Sequence, residues 1–189
     1  MMRSSRMGKA LAVFTIGFLV QGCGIQGGTS VSSGQTGTLP PVPHSPNPHT
    51  FLQDNLNHKT ATLAMDADYN NENGGFDFDG YSFGELTIRM PENYTVTVNF
   101  TNDGNMPHSV GLVKAGAENP TGPIIKGAAI PQAVAGLPPG STATFSFRTP
   151  SHPAHYELAC LVPGHIAVGM YVNFDVISGP KPSMVVGKP

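Results

Sequence analysis

Charged side chains are scarce in this 189-residue chain, at 12%, and they nearly cancel to a formal charge of −2. Beyond the first ten residues no Lys and Arg gather, so the electrostatic footprint that nucleic acid requires is missing and nucleic acid is excluded as a partner. Cysteine occurs twice, at Cys23 and Cys160, which allows at most one disulfide. No apolar run reaches the roughly 20 residues needed to cross a bilayer; the longest, Ala10 to Val20, falls short. Convincing helical segments are absent as well. The 23 Gly and 18 Pro interrupt helices and favour strands and turns, while 39% hydrophobic content suffices for one core.

The N-terminus has its own logic. In "MMRSSRMGKALAVFTIGFLVQGCG", Arg3, Arg6 and Lys9 precede the apolar run, the order of a secretory signal. The run ends in "LVQGC", which resembles a bacterial lipoprotein cleavage box, in which the Cys carries the lipid. Residues 1–23 are therefore expected to be a signal peptide ending at a lipidated Cys23, or an uncleaved membrane anchor with an incidental Cys23. Either way the protein is exported, to the periplasm or another extracytoplasmic space, and held at the membrane. With Cys23 lipidated, Cys160 is a lone thiol in an oxidising compartment, where metal ligation would protect it.

Residues 24–60 are rich in Gly, Ser, Thr and Pro and poor in periodic apolar residues, and read as a flexible tether. Its His44, His49 and His58 are unevenly spaced and read as solvated side chains. Alternation then takes over. Val96, Val98 and Phe100 in "YTVTVNFT" share one parity, as do Ala143, Phe145 and Phe147 in "TATFSFRT". "LTIRMP" and "HSVGLV" read as shorter strands, separated by turns at "PEN", "NDGN" and "LPPG". The expectation is an all-β fold, a two-sheet β-sandwich over residues 61–179, with 180–189 as a tail.

Within "HYELACLVPGHIAVGMYVNFDV", Cys160, His165 and Met170 are five residues apart. Parity with Leu158 turns Cys160 inward at a strand end, and parity with Val172, Phe174 and Val176 turns Met170 inward at a strand start. Pro163-Gly164 supplies a turn between them, so the three side chains can converge at one end of the sandwich. His108 in "NMPHSVGLV" shares parity with Val110 and Leu112 and is the best fourth member. His152 and His155 read as surface residues. Two imidazoles, a thiolate and a thioether form a mixed borderline and soft donor set that suits copper and not calcium or magnesium, in a trigonal site with a weak axial Met used for electron transfer.

The Cys-to-His-to-Met spacing with an upstream Pro107-His108 resembles the ligand signature of the blue copper proteins, the cupredoxins. The ten-residue Cys-to-Met loop is similar to that of rusticyanin and sulfocyanin and longer than the plastocyanin form. "FDFDGYSFGELTIRMPENYTVTVNFTNDGNMPHSVGLV" resembles the sulfocyanins in particular. The resemblance implies a cupredoxin-type Greek-key β-sandwich with one type 1 copper ion on His108, Cys160, His165 and Met170. It also implies a non-enzymatic, monomeric carrier that moves single electrons between membrane-associated redox complexes, with partners docking at the His165 loop. One departure is Ser109, where many cupredoxins have an Asn whose side chain holds the Cys-bearing strand.

The stretch "DADYNNENGGFD" vaguely resembles a calcium loop, but Asn71 stands where the Gly belongs and Asp77 where the Glu belongs, so it reads as a polar turn. Two other functions are weighed against electron transfer. A copper carrier or metallochaperone would move the ion instead of the electron. A thiol enzyme would use Cys160 as nucleophile and His165 as base, leaving Met170 unexplained.

Overall fold

Alternation dictates the strands. In the computed structural model, which describes residues 47–187, a 3-10 turn at Pro48–Phe51 leads into β1 (Leu52–Asn55) and β2 (Thr60–Ala67). There follow β3 (Leu86–Pro91), β4 (Thr95–Asn102), β5 (Gly111–Lys114), β6 (Thr142–Arg148), β7 (Ala154–Ala159), β8 (Tyr171–Ile177) and β9 (Ser183–Val186). On β2, Ala61, Leu63, Met65 and Ala67 are buried while the residues between them are less so. Leu86, Ile88 and Met90 on β3, Val96, Val98 and Phe100 on β4, and Phe145 and Phe147 on β6 are buried in the same way. Each such side chain larger than Ala contributes about 1.5–3 kcal/mol when taken from water, so the period-2 pattern fixes the register.

Two sheets result, in the orders β1-β2-β4-β6 and β5-β7-β8-β3-β9. The pairs β2–β4 and β3–β8 are parallel, and the other pairs are antiparallel. The chain passes from β2 in one sheet to β3 in the other and back to β4, so their inner faces share one core. Thr149, buried just past β6, accepts the Tyr94 N–H at 2.8 Å and donates to the Pro91 carbonyl at 2.8 Å, closing the β3–β4 corner.

Both expected boundaries move outward. The tether was expected to reach residue 60, yet β1 pairs with β2 from Leu52↔Leu63 to Asn55↔Thr60, and Phe51 is buried. The segment offers few apolar residues in a row, so its pairing depends on the partner strand and not on its own periodicity. The expected tail at 180–189 contains β9, which pairs with β3 through Ile88↔Met184, and Met184 is buried. The expected signal segment, Cys23, His44 and most of the tether lie outside the described residues.

The topology brings three chain reversals to one end of the five-stranded sheet. Gly111 at the start of β5 pairs with Ala159 at the end of β7, and Ala159 pairs with Tyr171 at the start of β8. The residues just outside these termini are His108 to Val110, Cys160 and Met170. They are therefore delivered to the same place.

Candidate metal centre

His108 is positioned by backbone. Its N–H donates to the Leu137 carbonyl at 3.2 Å and its carbonyl accepts the Leu137 N–H at 2.7 Å. Next to this bridge Gly136 has φ +74, and a Cβ there would lie 2.8 Å from a Val162 methyl and 3.1 Å from the His108 carbonyl oxygen. Only glycine fits that approach. The wholly buried Asn102 secures the turn before His108, because its side-chain amide donates to the Met106 and Leu137 carbonyls and its Oδ1 accepts the Gly104 N–H.

Cys160, fully buried, donates its backbone N–H to the Met170 carbonyl at 3.1 Å. This continues the β7–β8 ladder by one residue pair, and residues opposite each other in an antiparallel pair project to the same side. Met170, also fully buried, thus shares a face with the thiol. Between them the loop is closed by the His165 N–H on the Val162 carbonyl and the Met170 N–H on the His165 carbonyl, each at 3.1 Å. Gly169 at φ +96 lets the Phe83 ring lie against the loop.

The structure brings His108, Cys160 and His165 together: one donor atom from each lies within 4.8 Å of the others. The Cys160 sulfur is 3.4 Å from His165 Nδ1, and the two imidazole centroids are 5.1 Å apart. The Ser109 N–H donates to the Cys160 sulfur at 3.3 Å. The Ser109 hydroxyl, 3.5 Å from the same sulfur, accepts the Leu161 N–H at 2.8 Å. Ser109 thus fastens the Cys-bearing segment by its own side chain. His152 and His155 are exposed, and His155 pairs with Asp175 at 2.9 Å.

Burial governs the electrostatics. It pushes His108 down to about 4, with His165 adding to the effect, and lowers His165 as well. Both rings are therefore neutral at neutral pH and offer lone pairs. Burial pushes the Cys160 thiol up, so loss of its proton calls for a cation. Both ring nitrogens of the fully buried His108 lack a hydrogen-bond partner. Buried polar atoms are rarely orphaned, and a ligated metal ion would satisfy one of these. Two imidazoles and a thiol fit copper.

Parity reasoning missed three features. Glu157, expected to face outward, is buried because its carboxylate accepts the Gly116 N–H at 2.9 Å from the loop after β5. Asp77 and Asp79, in and beside the expected polar turn, are fully buried. Phe76 lies edge-on to both imidazoles, with centroids 5.0 Å from His165 and 6.2 Å from His108.

A two-sheet sandwich with its donors gathered at one end has the cupredoxin architecture. The model of the sulfocyanin (SoxE) domain matches residues 48–181, and the chain belongs to the sulfocyanin family. The sulfocyanin of Sulfolobus acidocaldarius is 28% identical over 124 residues, covering 60% of this chain and 62% of that protein. Among solved structures, a dithionite-reduced auracyanin from Roseiflexus castenholzii is 26% identical, covering 61% of this chain and 96% of that one at a TM-score of 0.45. Rusticyanin from Thiobacillus ferrooxidans is 18% identical, covering 67% and 86% at a TM-score of 0.42. Among the described residues no helix is long and apolar enough to cross a membrane.

Proposed function

We propose that this protein carries single electrons through one type 1 copper ion held by His108, Cys160, His165 and Met170. The observation that supports this best is the convergence of three donors within 4.8 Å around a fully buried His108 whose ring nitrogens have no partner. Copper, when bound, supplies a one-electron couple. The chain's residues do the rest. His108 and Cys160 are anchored through backbone pairing to Leu137 and Met170, so the donors stay in place when the charge at the site changes. Ser109 donates its N–H to the sulfur, and the hydroxyl of the same residue ties down Leu161.

His165 is the partly exposed donor and the natural point for electrons to pass. Around it Pro163, Ala167 and Val168 are exposed, and this apolar rim suits a small, short-lived interface with a redox partner. The carrier is read as a monomer serving membrane-associated complexes, exported and held by the N-terminal anchor or a lipid on Cys23. A thiol-nucleophile role fits poorly, because Cys160 is wholly enclosed and burial raises its thiol. Delivery of the ion to another protein also fits poorly, since His108 and Cys160 are both enclosed.

The test is to load the protein with Cu(II), remove the excess and titrate it electrochemically. One copper per chain with a reversible one-electron wave supports the carrier. Copper bound without a reversible wave rejects it.

A further inference from the structure

The segment Phe76-Asp77-Phe78-Asp79-Gly80 is prominent in the sequence, yet none of its residues is a metal donor. Phe78 is fully buried in the core, whereas Phe76 is partly buried and stands edge-on to His108 and His165 at interplanar angles of 83° and 88°. An aromatic edge presented to a ring face is a favourable packing contact, worth about 0.5–1.5 kcal/mol beyond the area it covers.

The segment is pinned at several points. Asp77 Oδ1 accepts the Tyr69 N–H at 3.1 Å and the Gly80 N–H at 2.9 Å, and Asp79 Oδ1 accepts the Asp66 N–H at 2.7 Å. Asn73, at φ 47, donates its side-chain amide to the Phe76 carbonyl at 3.2 Å and to the Val168 carbonyl at 2.7 Å. That last bond crosses to the loop carrying His165, 95 residues away in sequence. A Cβ on Gly75 would lie 2.9 Å from the Asp68 carboxylate, and one on Gly104 would lie 3.0 Å from Asp68 Cβ and 3.1 Å from His108 Cδ2. The turn is thus seated against the His108 side of the site and latched to the His165 side.

We propose that Phe76-Asp77-Phe78-Asp79-Gly80 is a cap on the metal-binding imidazoles, in which Phe76 is the positioning residue that fixes both rings and keeps water and competing ligands from them. Asp77 holds the cap to its own turn, Asp79 holds it to Asp66 on β2, and Asn73 holds it to the ligand loop. The cap's effect on copper rests on the metal-site reading above, whereas its effect on the imidazoles can be measured without metal.

Two measurements on the full chain test it, with Phe76→Ala, Phe76→Leu and Asn73→Gly beside wild type. Hydrogen–deuterium exchange at the ring C2 positions of His108 and His165, read by mass spectrometry on metal-free protein, is expected to accelerate in Phe76→Ala and Asn73→Gly. In copper-loaded protein, extraction of the metal by EDTA is expected to speed up about tenfold in Phe76→Ala and less in Phe76→Leu. The reduction potential is expected to fall in Phe76→Ala as water approaches the rings. Unchanged ring exchange and extraction in folded Phe76→Ala and Asn73→Gly overturn the cap, and unchanged values in Phe76→Leu and Asn73→Gly do so if Phe76→Ala does not fold. If wild type binds no copper while ring exchange still responds, the cap stands and the copper reading fails.

Discussion

The Ser109 N–H points at the Cys160 sulfur from 3.3 Å, and the hydroxyl of the same residue accepts the Leu161 N–H at 2.8 Å. One residue therefore positions the thiol through its backbone N–H and satisfies the buried backbone that follows it through its side chain. Because the hydroxyl oxygen receives the Leu161 proton, its own proton is free to turn to the sulfur 3.5 Å away. Replacing Ser109 by Ala leaves the Leu161 N–H unpaired in a buried place, which costs about 1–3 kcal/mol. Chemical denaturation should show that loss. The reduction potential of the copper form should drop, since less positive polarity faces the thiolate.

Met170 makes a different kind of contribution. As a fully buried residue opposite Cys160 it can be exchanged for Leu at nearly constant volume, costing under about 1.5 kcal/mol. If Met170 is the fourth ligand proposed above, Met170→Leu should keep its copper and raise its potential, because a donor that stabilises the more highly charged ion would be gone. The wild-type potential should already stand toward the high end for such sites, given the apolar Leu161 and Ile166 buried in the same loop. Redox titration of the two proteins checks both statements.

Asp77 and Asp79 give the domain an unusual acid response. Burial raises both, Asp77 from 3.8 to about 6 despite the two backbone N–H groups it accepts, and the neighbouring acids Asp66, Asp68 and Glu72 push the same way. Ionisation is therefore harder in the folded state than in the unfolded one. The stability this represents is complete below the ordinary Asp range and is lost as pH rises through the folded values. His108, held down at about 4, works in the opposite sense in metal-free protein. The measurement is accordingly a difference between Asp79→Asn and wild type. The variant should gain on wild type as pH is raised from about 4 to about 7, and a constant difference would exclude an Asp79 whose ionisation is harder in the folded state than in the unfolded one.

The sandwich was legible wherever one strand carried its own alternation, as in Val96-Val98-Phe100 and Phe145-Phe147. It was illegible where pairing depends on a distant partner: β1 and β9 have four residues each and gain their order from Leu63 and Ile88 across the sheet. The meeting of Cys160 with His165 could be read because one short loop holds both. His108 followed from strand parity, although it forms only an isolated bridge to Leu137 before β5 begins. Phe76 and Asn102 could not be read that way. Their roles come from contacts across the fold, to His165 and Leu137, which no local spacing encodes. Glu157 broke its parity because a loop, and not a strand, covers it.

On the proposed function the Cys160 sulfur and the two imidazoles share one copper ion. The visible and electron paramagnetic resonance spectra of the copper-loaded protein, recorded beside those of Cys160→Ser, test this most directly. An intense blue absorption with a narrow copper hyperfine splitting, both abolished by Cys160→Ser along with most of the affinity, is the expected result. A colourless copper complex, or a spectrum that survives the substitution unchanged, would contradict it.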